Sequence, residues 1–453
     1  MDKARQLTLN SRIRTIAVPA MIGFLFNTLF NVVDSFYAGQ ISTDAIAGMT
    51  LAFPVFFLLM SLASGIGNGL NALAAIEIGA NAQKNALSLF KNALYIALGI
   101  GLVVPFVAPS VAEFIFDMQN AETAPKTYAL QYITVVMGGF IFFMINFTLN
   151  GFLYAQGNTK PFRNFLIVAS IINIGLNPLL IHGVWLIPAL NTAGIGLATV
   201  LVQMGGSVYL FSKARRSSWF LHTMFKRLTF SKADVLSLAK QGIPATMNNA
   251  TIALGVFVIN FYVQFYGGSQ TLAAYGIAIR IEQLALVPTL GINVAVITLV
   301  GQYFGADERT QILKVWKRAT LIGLMIMASG IMIIFPFASF LIARFDDTEA
   351  VVSAGSRYLR IEALAFLSYV ILNITVSMLQ GIKKPMFALY IGIYRQLIPI
   401  GLFYLLGTVL SMGIDGVWWG IVIINWTAVI IAVSYGWLSF KRKLPVSEMT
   451  TVK

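Results

Sequence analysis

The chain has 453 residues, a mean hydropathy of +0.80 and a formal net charge of +14, with 58% hydrophobic and only 11% charged residues. This composition excludes a water-soluble globular protein, which would need more polar surface, and predicts an integral membrane protein. The absence of cysteine excludes disulfides, thiolate nucleophiles and cysteine-ligated metal sites.

Twelve apolar runs are long enough, at about 20 residues each, to cross roughly 30 Å of hydrocarbon. The predicted spans of the first half are, in chain order, 14–38, 45–77, 91–116, 128–152, 163–186 and 192–212. Those of the second half are 240–266, 271–303, 319–343, 357–380, 386–410 and 414–439. The predicted fold is therefore an all-α polytopic membrane protein with twelve transmembrane helices.

The first predicted span carries the most informative acid of the chain. Asn27, Asn31 and Asp34 are spaced i, i+4 and i+7, so they share one helix face. An ionisable side chain at the centre of a span costs about 2.5 to 3.5 kcal/mol on insertion scales, which makes it a functional candidate. Because burial penalises the charged form of a carboxyl group, we expect Asp34 to bind and release a proton. The alternative is an ordinarily solvated acid near the lipid head groups.

Two further spans of the first half carry pairs of asparagines one helical turn apart. Asn146 and Asn150 lie on the fourth predicted span, and Asn173 and Asn177 lie on the fifth. Amide oxygens of the fifth-span pair could accept a hydrogen bond from protonated Asp34 or ligate a sodium ion. An asparagine pair can instead serve helix packing alone. Polar faces on three spans of one half predict a hydrated cavity there.

The second half has its own intramembrane acids, each two residues after an arginine. Glu282 follows Arg280 in the eighth predicted span, and Glu362 follows Arg360 in the tenth. Residues two apart do not share a helix face, so any ion pair would cross between helices. These acids could also line a substrate path or carry a second cation, and the sequence leaves the structural and functional interpretations open.

Proline-centred motifs recur at a nearly constant offset in the two halves. Pro19 and Pro244 open long apolar stretches 225 residues apart, and Pro161 and Pro385 close related GNTKP and GIKKP motifs 224 residues apart. A repeat of half the chain predicts two copies of one bundle. Six spans per copy is an even number, so both copies enter the membrane from the same face and the repeat is parallel.

The basic residues predict the orientation. Of the 31 Lys and Arg residues, 25 fall at the termini or in the even-numbered connections, which the positive-inside rule places in the cytoplasm together with both termini. Such segments attract anionic membrane lipids, whereas their dispersal argues against a nucleic-acid partner. We expect three regions: an N-terminal six-helix bundle at 1–212, a cytoplasmic basic linker at 213–239 and a C-terminal six-helix bundle at 240–453.

Motifs for nucleotide hydrolysis or covalent catalysis are absent from the sequence. It contains no GxxxxGK[ST] phosphate loop, no GxSxG elbow and no HExxH metal motif. Its two histidines, His182 and His222, are isolated and do not have the spacing of a zinc site. The sequence therefore favours a protein that is not an enzyme and whose work is driven by an ion gradient.

The chain resembles the multidrug and toxic compound extrusion (MATE) transporters over essentially its whole length. The resemblance is carried by the opening VPAMIGFLFNTLFNVVDSFYAGQIS, by IGANAQKNA after the second span, by QGNTKP before the fifth and by AGIGLAT in the sixth. It implies a secondary active exporter of small lipophilic, often cationic drugs in the inner (plasma) membrane, with cation antiport, rocking of two bundles and no cofactor.

The same resemblance implies roles for individual residues. Pro19 matches the family's helix-bending proline, Asp34 its cation-coupling acid, and Asn173 with Asn177 its polar pair on the fifth helix. Some members carry a second Asp where this chain has Asn177. Because hard cations favour carboxylate oxygens, the missing charge favours a transported proton, and a transported sodium ion is the alternative.

The expected substrate cavity combines the polar faces with neighbouring apolar side chains and one acid of the second half. Flexible methionines and aromatic rings suit a promiscuous pocket, although at each single position helix packing or lipid contact is the more common role of such a residue. The candidates are Asn27, Phe30, Asn31, Phe143, Met144, Asn150, Met247 and Glu282. We expect the protein to act as a monomer.

Two other functions fit the sequence less well than drug export. A lipid-linked precursor flippase would be expected to have more spans and a strongly cationic central cavity. The twelve predicted spans and the few Arg residues within them argue against this function. An intramembrane lipid-modifying enzyme would need a nucleophile or a metal set, for which the sequence shows no motif.

Overall fold

The computed structural model describes residues 8–119, 122–183, 188–220 and 230–441, and within these ranges it consists of helices joined by short connections, without β-strands. The first half contains the helices Leu9–Ile41, Thr43–Gly79, Gln83–Met118, Thr123–Gly138, Phe140–Ala155, Lys160–His182 and Asn191–Arg215. The second half contains Lys232–Gly305, Arg309–Ala343, Glu349–Gly381, Met386–Tyr404 with a π-helical turn at Leu405–Val409, and Ile414–Lys441.

The prediction of twelve spans is confirmed. Within the described ranges, ten helices are long and apolar enough to cross a membrane, and the bent pair Thr123–Gly138 and Phe140–Ala155 supplies one more span. The helix Lys232–Gly305 has 74 residues and would be about 110 Å long at the usual helical rise, too long for one crossing. Its backbone leaves the helical region at Gly268, with φ 72° and ψ −172°, so it supplies two spans.

The fourth span differs from the single helix predicted at 128–152. Its two helices meet at an angle of 53°, and Gly139 lies at the junction. A Cβ atom at Gly139 would lie 2.3 Å from Cγ1 of Val200 on the sixth span. The glycine therefore allows the sixth span to approach the bend closely, a contact that hydropathy alone does not reveal.

Contacts divide the chain into two compact units. One comprises residues 22–246, and the other comprises the residues up to Met21 together with those from Met247 onward. The first helix is thus shared between the two units. It remains helical at the buried Pro19, which lies two residues before Met21, the last residue that this helix contributes to the second unit. In the predicted linker 213–239, the sixth span continues to Arg215 and the seventh begins at Lys232, while residues 221–229, including His222, lie outside the described residues.

Close helix packing in the unit 22–246 depends on small residues. The second helix passes the fourth span at Gly67 and Gly151, where a Cβ atom on Gly151 would lie 2.3 Å from the Gly67 carbonyl oxygen. Membrane helices associate through such close approaches because lipid offers no hydrophobic drive to bring helices together.

We expect Gly151→Ala to destabilise the protein by about 1 to 3 kcal/mol, the usual cost of overpacking, although alanine favours helices over glycine. The measurement is the temperature at which the detergent-solubilised protein loses its monodisperse gel-filtration peak. Gly205→Ala is the matched control, because a Cβ atom there meets no atom within 4 Å. Equal transition temperatures for the two variants would contradict the packing argument.

Candidate functional site

Asp34 lies at the centre of a buried hydrogen-bond network in the unit 22–246. Its side chain is only 3% exposed. The Oδ1 atom accepts a hydrogen bond from Nδ2 of Asn177 at 3.0 Å, and Oδ2 accepts one from Oγ1 of Thr199 at 3.1 Å. Asn177 Nδ2 also donates to Oδ1 of Asn173 at 3.1 Å. Three predicted residues, Asp34, Asn173 and Asn177, are thus brought together.

The local helix geometry explains this arrangement. Asn173 and Asn177 are one turn apart on the fifth span, so their amides lie side by side and can bond to each other. Two hydrogen bonds join the first helix to the same span, one before and one after Asp34 in the sequence. Ser170 Oγ donates to the Phe26 carbonyl at 3.1 Å, and the Tyr37 hydroxyl donates to the Ile174 carbonyl at 2.9 Å.

The electrostatics of Asp34 suit an exchangeable positive charge. Among the described residues, no Lys or Arg lies within ion-pair distance of its carboxyl group. Tyr132 on the fourth span is the titratable side chain that interacts electrostatically with it. A buried carboxylate without a cationic partner is costly. Binding of a proton or a small cation removes that cost, so the site can alternate between an empty and an occupied state.

A chamber of about 90 Å³ adjoins the network in the same unit. Four of the predicted cavity residues, Asn27, Phe30, Asn31 and Phe143, line it. The hydroxyl-bearing Thr199 is also part of its wall, so one side chain belongs to both the chamber and the Asp34 network. The full lining is Asn27, Phe30, Asn31, Phe56, Met60, Phe143, Asn146, Phe147, Phe162, Phe165, Leu166, Thr199 and Gln203.

The remaining predicted cavity residues lie elsewhere. Met144 is buried in the hydrophobic core of the unit 22–246, and Asn150 is buried on the fourth span beside the Tyr154 phenol. Met247 and Glu282 belong to the other unit. Their assignment as substrate contacts stays a prediction.

Two residues of this site, Thr199 and Gln203, were not singled out from the sequence. Thr199 is the last residue of the AGIGLAT segment on the sixth span. Gln203 follows one turn later, and both its backbone carbonyl and its Oε1 accept hydrogen bonds from Asn146 Nδ2, at 2.9 and 2.7 Å. A polar pair one turn apart on a predicted span was the available signal, the same one that identified Asn173 and Asn177.

The two acids of the second half accept hydrogen bonds from phenols. Glu282 accepts a hydrogen bond from the Tyr358 hydroxyl at 2.9 Å, and Glu362 accepts one from Tyr369 at 2.9 Å. Arg360 reaches Ser339 at 3.2 Å instead. Within the described residues, neither acid forms an ion pair within 4 Å. No close cross-helix ion pair is therefore seen among the described residues, although Arg395, on the helix Met386–Tyr404, interacts electrostatically with both acids.

Comparison with known families gives one match that covers both halves. The model of the family described as MatE matches residues 19–179 and again residues 244–405. The two matches begin at Pro19 and Pro244, the two prolines that open the predicted repeat. The prediction of a parallel repeat is confirmed.

Similar proteins include the probable multidrug resistance protein NorM of Thermotoga maritima, 24% identical over 420 residues that cover 90% of this chain and 88% of the relative. The multidrug export protein MepA of Staphylococcus aureus is 22% identical over 414 residues, covering 90% and 89%. Among solved structures, a MOP superfamily transporter from Pyrococcus furiosus superposes with a TM-score of 0.90 at 24% identity, covering 97% of both chains.

Proposed function

Because the chain belongs to the MatE family, we propose that it is a secondary active multidrug exporter that exchanges small lipophilic, often cationic drugs for protons. Members of this family are transporters, not enzymes, and they draw on ion gradients without a cofactor. The NorM and MepA relatives are named multidrug resistance and multidrug export proteins, which supports the drug class. The main observation in support of proton exchange is that Asp34 is buried among neutral hydrogen-bond donors.

The hydrogen bonds around Asp34 provide a way for a proton to change the structure. Both carboxyl oxygens accept bonds from donors in the present arrangement. A bound proton turns one oxygen into a donor, so the group facing it must become an acceptor. The Thr199 hydroxyl can rotate to accept, whereas the Asn177 Nδ2 can only donate. Protonation therefore rearranges the contacts between the first span and its neighbours.

We assign the larger movement to alternating access of the rocker-switch type, with the first helix bending near Pro19. A proline lacks the backbone N–H that would bond to the carbonyl four residues earlier, so a helix bends more readily there. Proton uptake from outside would release the drug, and proton release to the cytoplasm would reset the cycle. Each proton that enters down a gradient of one pH unit supplies roughly 1.4 kcal/mol, and the membrane potential adds roughly 2.3 kcal/mol per 100 mV for each net charge that the exchange moves.

A sodium ion is the second candidate for the coupling cation. The buried Oδ1 of Asn177 has no hydrogen-bond partner among the described residues, and an amide oxygen can ligate a hard cation. The test is drug efflux from proteoliposomes under an imposed pH gradient or an imposed sodium gradient, applied separately. Efflux driven by the pH gradient alone supports proton exchange, and efflux driven by sodium alone contradicts it.

We propose that the protein works as a monomer in the inner (plasma) membrane, with both termini in the cytoplasm and its basic segments against anionic lipids. Because the native chain lacks cysteine, single cysteines report the topology directly. We expect a membrane-impermeant maleimide to label Ser411→Cys in intact cells and Asn158→Cys only after permeabilisation. Both side chains are exposed, so the reverse labelling pattern would contradict the orientation.

A further inference from the structure

Arg280 lies deep in a membrane span of the second half, and its side chain is exposed. It belongs to the eighth span, which runs from the break at Gly268 to Gly305. At the usual helical rise it lies about 18 Å from the break, near the middle of roughly 30 Å of hydrocarbon. A charged side chain at this depth is costly unless it faces water or an opposite charge.

The helix face that carries Arg280 does not have the composition of a lipid-facing surface. Its exposed residues share one side of the helix and are small or polar apart from the last: Ala273, Gly276, Arg280, Gln283 and Leu284. The ninth span, in contrast, exposes large apolar side chains, namely Leu321, Met325, Met332 and Ile333. Such residues suit lipid tails, which are as apolar as leucine. The Arg280 face is therefore suited to contact with water.

Aromatic side chains hold the opposite face of the same span. Tyr275 is buried, and the centroid of its ring lies 5.7 Å from that of Trp418 and 5.2 Å from that of Tyr358. The Tyr358 hydroxyl donates to Glu282 at 2.9 Å. Because Tyr275 and Glu282 lie across the helix from Arg280, these contacts fix the rotation that turns Arg280 outward.

The acid nearest in sequence does not neutralise Arg280. Glu282 lies roughly 200° further around the helix, where it interacts electrostatically with Arg395. Among the residues that the structure describes, Arg280 forms no ion pair within 4 Å. Its positive charge can therefore serve a ligand.

The chemistry of the guanidinium group selects that ligand. The group is planar and always charged, and its paired N–H donors match the two oxygens of a carboxylate or a phosphate. The phosphate of an anionic lipid stays at the head groups, outside the hydrocarbon, whereas Arg280 lies near the middle. A carboxylate on a small amphipathic molecule can reach this depth along a hydrated face.

We propose that Arg280 binds the carboxylate of exported drugs, so that amphipathic molecules with a carboxylate, zwitterions included, are substrates alongside lipophilic cations. The inference rests on the proposed export function and names a substrate class for it. In this assignment the Tyr275, Tyr358 and Trp418 cluster positions Arg280, and the guanidinium group makes the contact with the drug.

The first test asks whether water reaches the Arg280 face. Because the native chain lacks cysteine, single cysteines can be labelled in proteoliposomes with a membrane-impermeant methanethiosulfonate. We expect Arg280→Cys to be labelled, since the thiolate that reacts forms in water and not in lipid. Met325→Cys is the matched control, because Met325 is 57% exposed in the middle of the ninth span. We expect it to stay unlabelled.

The second test compares two dyes that differ only at one carboxyl group. Tetramethylrhodamine carries a carboxylate, and tetramethylrhodamine methyl ester is a lipophilic cation without one. Binding to the detergent-solubilised protein is measured at equilibrium by fluorescence polarisation. We expect Arg280→Gln to weaken binding of the acid at least about tenfold, the usual effect of losing a hydrogen bond to a charged group. Binding of the ester should not change.

Two further variants separate geometry from charge. Arg280→Lys keeps the positive charge but loses the paired donors, so its affinity for the acid should lie between those of the unmodified protein and Arg280→Gln. Arg344→Gln makes the same chemical change at an exposed arginine just after the ninth-span helix. We expect it to bind both dyes normally.

Several results would overturn the inference. An unlabelled Arg280→Cys would place this face away from water. Equal affinities of Arg280→Gln and the unmodified protein for the acid, or equal losses for acid and ester, would remove carboxylate recognition. Displacement of the acid but not the ester by phosphatidylglycerol would make Arg280 a lipid-phosphate contact instead.

The proposed function fails on a different measurement. Dye binding at equilibrium needs no gradient, so it is independent of proton exchange. If Asp34→Asn still exports ethidium, a lipophilic cation, under a pH gradient, proton-coupled export through Asp34 is wrong whatever the dyes show. If Arg280→Gln alone behaves normally, carboxylate recognition is wrong and proton-coupled export stands.

Discussion

Replacing Asp34 with asparagine is expected to abolish drug efflux driven by a pH gradient while the protein still folds and inserts. The amide has nearly the shape of the carboxyl group and can occupy the same position on the first helix. It cannot, however, take up a proton that the cycle could later release. Without a transported proton, the roughly 1.4 kcal/mol that each unit of the pH gradient supplies no longer reaches the drug.

The measurement is ethidium efflux from proteoliposomes at a fixed pH gradient, with the amount of folded protein checked by gel filtration. Asp347→Asn makes the same chemical change at an exposed acid between the ninth and tenth spans, and its efflux is expected to match that of the unmodified protein. An Asp34→Asn protein that exports ethidium at the unmodified rate would remove Asp34 from the coupling mechanism.

Much of this site could be predicted from the sequence because its main members break the hydropathy pattern. A carboxyl group and paired amides are rare inside spans and costly there, so Asp34, Asn173 and Asn177 are visible without a structure. Thr199 gives a weaker signal even with Gln203 one turn away, because threonine hydroxyls in membrane helices commonly bond to their own backbone. Thr148 does so here, to the Met144 carbonyl at 2.8 Å. Only the packing of the sixth span against the first distinguishes the two threonines.

The fold shows the same division between local and non-local information. Hydropathy and length are properties of each segment, and they predicted the number of spans correctly. The break at Gly268 falls in the connection predicted between the seventh and eighth spans, at 267–270. The bend at Gly139 was not predicted, since the chain has 38 glycines and most lie within ordinary helix. Gly139 matters because Val200 lies against it. The phenol partners of Glu282 and Glu362 could likewise not be predicted from the sequence, because they come from residues that are distant in sequence or on another helical turn.

Asn177→Asp is expected to make efflux respond to sodium. The substitution replaces an amide that donates to Asp34 at 3.0 Å with a second carboxyl group at the same place. Two carboxylates so close cannot both be ionised unless a cation lies near them, and carboxylate oxygens are preferred ligands of hard cations. We expect efflux driven by the pH gradient to fall roughly tenfold, the effect of losing about 1.5 kcal/mol from one hydrogen bond to a charged group.

The decisive measurement compares efflux in an inward sodium gradient with efflux in choline at equal ionic strength. Sodium should stimulate Asn177→Asp and leave the unmodified protein unaffected. A double variant that combines Asp34→Asn with Asn177→Asp moves the single carboxyl group to the fifth span, and we expect no sodium stimulation from it. Stimulation of the double variant would mean that the position of a carboxylate, and not the number of carboxylates, selects the cation. No stimulation of Asn177→Asp would show that the neighbouring asparagine does not decide between proton and sodium.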